Sequence, residues 1–104
     1  MNDITYECSS GWDDLIDDTL EKIRTIDPEI KILQVKEKFG TLRIYWYSTV
    51  GYDSPQSMLI QDIVRGAERH SEKVCEVCGM PGELRLDRSW DRTLCDRDAA
   101  PATI

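Results

Sequence analysis

The chain has 104 residues, 40% hydrophobic and 32% charged, with a formal net charge of −7. That length fits one compact domain, or a small one with a metal-stapled appendage, and the composition excludes a disordered chain. No apolar run approaches the roughly 18 residues that span a bilayer, and "MNDITYECSS" lacks the regions of a secretory signal. A cytoplasmic protein with unbridged thiols is therefore expected.

The acids are unevenly placed. Residues 1–30 carry nine acids and two bases, residues 31–74 five and seven, and residues 75–104 six and four. Such a field repels nucleic-acid phosphates unless a local basic patch overcomes it.

"SSGWDDLIDDTLEKIRTIDP" predicts an amphipathic helix, with Trp12, Leu15, Ile16, Thr19, Leu20 and Ile23 at helical spacing. Ser10 with Asp13 reads as a capping box, and Asp13 and Asp14 suit the positive end of the helix dipole. Asp27-Pro28 ends the helix, because a residue before proline is pushed out of the helical region. The outer face carries Asp13, Asp14, Asp17, Asp18 and Glu21. It reads either as a solvated face or as a docking surface for a basic partner.

"IKILQVKEKFGTLRIYWYST" predicts two strands around Phe39-Gly40, with Val35 opposite Ile44 and Leu33 opposite Trp46. Leu42, Ile44 and Trp46 then face the core. Lys36, Lys38, Arg43, Tyr45 and Tyr47 share the other face, the composition of a stacking platform for single-stranded nucleic acid and also of an ordinary half-exposed sheet. Phe-Gly is not a preferred two-residue turn, so a bulged three-residue turn with Gly40 left-handed would shift this register.

"DSPQSMLIQDIVRGAERHSEK" predicts a second helix capped by Ser54, with Pro55 at its first position. Leu59, Ile60, Ile63, Val64, Ala67 and Val74 form its stripe. Gly66 in mid-helix suggests close approach by another backbone, or simple tolerance.

After Lys73 the pattern changes. Cys75-x2-Cys78 followed by Gly79 matches a zinc knuckle, in which a tight turn aims two sulfurs at one point. "GELRL" and "SWDRTL" form a short hairpin across Asp87-Arg88-Ser89 that returns Cys95, and "CDRDAAP" allows one helical turn. A redox Cys-x-x-Cys would open a helix in a βαβ unit, and none is evident. The fourth ligand is open between Asp98, at Cys95-x2-Asp98, Cys8, His70 and a water. With water in that place the three cysteines describe a hydrolytic zinc with Glu76 or Asp98 as base. The hairpin is too short to wall a substrate pocket, and one histidine is too few for a histidine–metal nuclease.

"GWDDLID", "VKEKFGTLRIY", "IVRGAERHSEKVCEVCG" and "WDRTLCDRDA" together resemble a family of small, mostly uncharacterised phage, prophage and bacterial proteins, over residues from about 8 to 100. That family's last element reads Leu-Cys-Asp-x-His, so the resemblance implies that Asp98 stands at the fourth-ligand position. No activity comes with the resemblance.

The expected fold is α+β: helix, β-hairpin, helix, then a small treble-clef or zinc-ribbon-like module. Residues 1–74 form the acidic α-β-β-α part, and residues 75–104 the zinc module, packed by Trp90 and Leu94. The expected function is protein–protein interaction rather than catalysis, with the acidic helix docking on a basic host or phage protein. The phage resemblance suggests inhibition of a host defence or nucleic-acid enzyme. The alternative is a nucleic-acid-binding regulator using Arg85, Arg88, Arg92 and Arg97.

Overall fold

The computed structural model describes residues 4–100. A 3-10 turn at Ser10–Trp12 runs into α1, Asp13–Ile26, which ends at an extended Asp27 before Pro28. No capping box forms: Ser10 lies inside the 3-10 turn, and neither Ser9 nor Trp12 makes a side-chain cap. Trp12 instead drives the entry, fully buried with its Nε1–H donating to the Val74 carbonyl at 2.8 Å.

The sheet has three strands in the order β1 (Tyr6–Glu7), β2 (Lys31–Lys38) and β3 (Thr41–Tyr47). β1 runs parallel to β2, and β2 antiparallel to β3. Val35 faces Ile44, as the sequence suggests, but Ile32 rather than Leu33 faces Trp46. Ile32 and Val35 are both buried although they stand three residues apart, and strict alternation puts such a pair on opposite faces. A bulge between Ile32 and Gln34 reconciles them and leaves Leu33 60% exposed. Lys38 pairs with Thr41, so Phe39-Gly40 is a two-residue turn with both residues left-handed, φ 54° and 83°; the three-residue alternative does not occur.

α2, Pro55–His70, is capped by Ser54, whose side chain accepts from the Ser57 N–H. Ile60, Val64 and Ala67 are buried, while Leu59 is 55% exposed. One residue from Ile60, Leu59 is rotated about 100° out of the stripe. Gly66 has open space where a Cβ would sit, so tolerance explains it, not a close backbone. Apolar residues of α1, α2 and the inner sheet face form one core around Trp12, Ile16, Val35, Leu42, Ile44 and Ile60. α2 and the turn after it also close the β3 edge: Leu42 N–H donates to Ser71 Oγ, and Ile44 N–H to Glu68 Oε2.

After a 3-10 turn at Ser71–Lys73 come β4 (Glu83–Arg85), β5 (Arg92–Leu94) and α3 (Asp96–Ala99), a small hairpin and one helical turn. This is the expected α+β order with its treble-clef-like end. Leu94 is buried as expected, but Trp90 is 64% exposed and packs no core, because the hairpin is too short to cover it. Among the described residues no helix is long and apolar enough to cross a membrane.

Candidate metal centre

The knuckle is a closed turn. Cys75 N–H donates to the Met80 carbonyl and Gly79 N–H to the Cys75 carbonyl, with Gly79 left-handed at φ 82°. β5 lies alongside, its Thr93 carbonyl accepting from Glu76 N–H at 2.9 Å. That pairing brings the next residue but one, Cys95, to the knuckle. Cys95 caps α3, its sulfur accepting from Asp98 N–H, and this turn swings the Asp98 carboxylate back over the thiols.

Four ligand atoms result, all within 4.8 Å of one another: the sulfurs of Cys75, Cys78 and Cys95 and a carboxylate oxygen of Asp98. Cys78 Sγ lies 3.7 Å from Cys95 Sγ, and Asp98 Oδ2 lies 3.2 Å from Cys75 Sγ and 3.3 Å from Cys95 Sγ. A tetrahedral ion with metal–sulfur bonds of about 2.3 Å and metal–oxygen bonds of about 2.1 Å needs edges of about 3.8 and 3.6 Å. The sulfur–sulfur edge fits, and the carboxylate edges need an expansion of only a few tenths of an ångström. The donor set can hold a metal ion. Cys8 and His70, the other candidates, are not part of the cluster.

Hydrogen bonds from the thiols of Cys78, Cys75 and Cys95 hold the Asp98 carboxyl below the usual carboxylate range. At Cys75 burial raises the thiol, but backbone N–H groups of Cys95, Cys78 and Val77 outweigh it and the net shift is downward. Cys8 goes the other way: burial, then the carboxylates of Glu76, Asp13 and Glu37, push it up to about 11. At Cys78 the Met80 backbone lowers the thiol, but the Asp98 carboxylate, burial and the two other thiols outweigh it and likewise push it up to about 11, so position outside the cluster, not ionisation, sets Cys8 apart. Arg97 stands behind the cluster, its Nε 3.8 Å from Asp98 Oδ1, where it would offset the negative charge of three metal-bound thiolates and a carboxylate.

The residue that sequence reasoning undervalued is Glu76. Its side chain is buried, accepts from Ser9 N–H at 3.0 Å, and pairs with Arg92 at 3.3 Å. Its carbonyl accepts from Gly11 N–H at 2.6 Å. Glu76 therefore clamps the chain before α1 to the knuckle, and is committed away from the role of base. Gly11 makes this possible: a Cβ there would lie 2.2 Å from the Cys75 carbonyl oxygen. The close backbone approach sought at Gly66 occurs at Gly11, and its signal was the glycine immediately before the buried Trp12. On the far side, Thr93 Oγ1 donates to the Gly40 carbonyl at 2.7 Å, pinning the hairpin turn to β5.

The remaining candidates lie on two faces. Asp14, Asp17, Asp18 and Glu21 are exposed on α1, with Asp13 half-buried, and Tyr6 donates to Asp17. Lys38, Tyr45 and Tyr47 are exposed and Lys36 and Arg43 half-buried on the sheet. Of the module arginines, Arg85 pairs with Asp96 and Arg92 with Glu76, while Arg88 donates to the Ala99 carbonyl. No protein-family model, curated protein or solved structure matches the chain.

Proposed function

We propose that the chain is a small zinc-stapled protein that works by binding another protein through the acidic side of α1. Three thiolates with one carboxylate suit zinc, a borderline-soft ion content with four ligands and no open position. The observation that carries the docking reading is an open groove of about 710 Å³ between α1 and the knuckle. Its walls carry Asp13, Asp14 and Asp18, and Leu15 and Met80 add apolar contact. A lysine or arginine side chain has matching parts: an aliphatic stem for the apolar contact and a charge for the carboxylates. The partner is a protein with a basic surface. The phage-like sequence features favour a host defence or nucleic-acid enzyme, whose activity this acidic surface would block.

The test is retention of proteins from a bacterial lysate by the immobilised zinc-loaded chain, with Asp14→Lys/Asp18→Lys as comparison. The expected result is one or a few basic proteins, released by moderate salt and lost with the double variant. No retained protein, or the same set on both, would remove the proposal.

A further inference from the structure

The outer face of the sheet is covered by no helix, and its charge is opposite to that of the molecule. Strand pairing arranges it in rows: Lys38 beside Thr41, Glu7 beside Lys36 and Arg43, Gln34 beside Tyr45, and Lys31 beside Tyr47. The bulge at Leu33 creates the last row. Without it Lys31 would alternate inward with Val35, and with it Lys31 joins the basic side. The face thus carries four cations and, among the described strand residues, one carboxylate, Glu7, which accepts from Gln34 Nε2. None of the four cations has an ion-pair partner among the described residues, whereas Arg85 and Arg92 of the module are paired. Arg43 is braced along its own strand, its guanidinium donating to Thr41 Oγ1 and the Leu42 carbonyl.

Aromatic rings lie among these charges. Tyr45 and Tyr47 are 40% and 46% exposed, two residues apart on one face and hence about 7 Å apart. Tyr52 meets the Tyr47 ring edge-on at 6.4 Å and props it. At the hairpin tip Phe39 is 68% exposed, with the Lys38 ammonium 5.6 Å from its ring centre. Its left-handed backbone suits asparagine better, so the fold alone gives no reason for an aromatic there.

We infer that this face binds single-stranded nucleic acid, bases stacking on Tyr45 and Tyr47 and phosphates meeting Lys31, Lys36, Lys38 and Arg43. Flat aromatic platforms flanked by unpaired cations match an unpaired strand, whose bases are free to stack. A second copy seated face to face is disfavoured, since it would bring like charges together. The site is independent of the α1 groove, whose carboxylates Asp13, Asp14 and Asp18 are not among the residues of this sheet face.

The experiment is fluorescence anisotropy of labelled 15-nucleotide U and dT strands with the zinc-loaded full chain at low salt. The expected dissociation constant is roughly 10–100 µM, with a log–log salt slope near the roughly −2.8 that four phosphate contacts give. Tyr45→Ala and Tyr47→Ala each weaken binding about tenfold, and Phe39→Asn weakens it without loss of stability. Preference for one strand type assigns RNA or DNA. Asp14→Lys leaves the affinity equal or higher, so failure of the α1 proposal does not carry over. Absence of binding, equal binding to a 15-base-pair duplex, or indifference to both tyrosine substitutions would overturn the inference. So would self-association abolished by Lys36→Glu in the absence of any strand.

Discussion

From the 3-10 turn before α1 through α2 the chain is held by a continuous apolar core; from residue 75 onward it is not. In the latter part Cys75 and Leu94 are the buried apolar residues, while Val77, Met80, Leu86 and Trp90 are all exposed. Two short strands and one helical turn cannot enclose a core of their own. Their shape is held by hydrogen bonds at two seams, Glu76 to the chain before α1 and Thr93 to the Gly40 turn, around a cluster that can hold a metal ion. A metal ion held by the Cys75, Cys78, Cys95 and Asp98 cluster would substitute for apolar burial where a segment is too small to collapse.

If that contrast is right, metal removal is the largest perturbation. Structural zinc contributes roughly 10–16 kcal/mol of apparent binding energy in small modules, far more than Leu94 can supply. After chelation, or in Cys75→Ser, residues 75–100 are expected to lose amide-exchange protection while α1 and α2 keep theirs. Uniform protection in both states would break the comparison.

The next effects lie at the seams. Gly11→Ala forces a Cβ into the Cys75 and Glu76 carbonyls and is expected to cost about 3 kcal/mol in denaturant unfolding of the zinc-loaded protein. Gly66→Ala, with open space around it, is expected to stabilise by up to about 1 kcal/mol. Opposite signs for two glycine-to-alanine changes separate backbone contact from helix propensity. Glu76→Gln keeps the shape but removes the charge facing Arg92, and is expected to cost about 2 kcal/mol. It should also raise the exchange rate of the Ser9 amide.

The smallest effect is a pH dependence at Cys8. Its folded-state pKa is raised to about 11, first by burial. The folded state therefore holds this proton more tightly than the unfolded chain does. The resulting stability is complete below the ordinary thiol pKa and is lost as pH rises toward 11. Alkylation of Cys8 in the zinc-loaded protein should accordingly be slow at neutral pH and accelerate up to about pH 11. Fast labelling at pH 7 would contradict the half-buried, protonated thiol.

Local signals in the sequence carried far. Asp27-Pro28, Ser54-Pro55 and the Cys75-x2-Cys78 knuckle each act within a few residues, and each marks the corresponding feature. What stayed hidden depends on partners distant in sequence. β1 is two residues long and exists only because β2 offers it an edge. The bulge follows from burying Ile32 and Val35 together, a three-residue spacing that is readable only once the core face is known. Glu76 looks like a solvent-facing residue between two cysteines until Ser9 and Arg92 arrive from 67 residues before and 16 after. Asp98 was legible as a candidate, but its selection over Cys8 needed the turn of α3.

The most direct test of the metal-stapled account is zinc affinity by chelator competition, with stoichiometry from native mass spectrometry, for wild type, Asp98→Ala and Cys8→Ser. The account predicts one zinc per chain, unchanged in Cys8→Ser. In Asp98→Ala it predicts weakening by more than the roughly 10–100-fold typical of losing a residue that only supports a ligand. Equal affinity in Asp98→Ala, loss of the metal in Cys8→Ser, or no zinc in the wild type would contradict it.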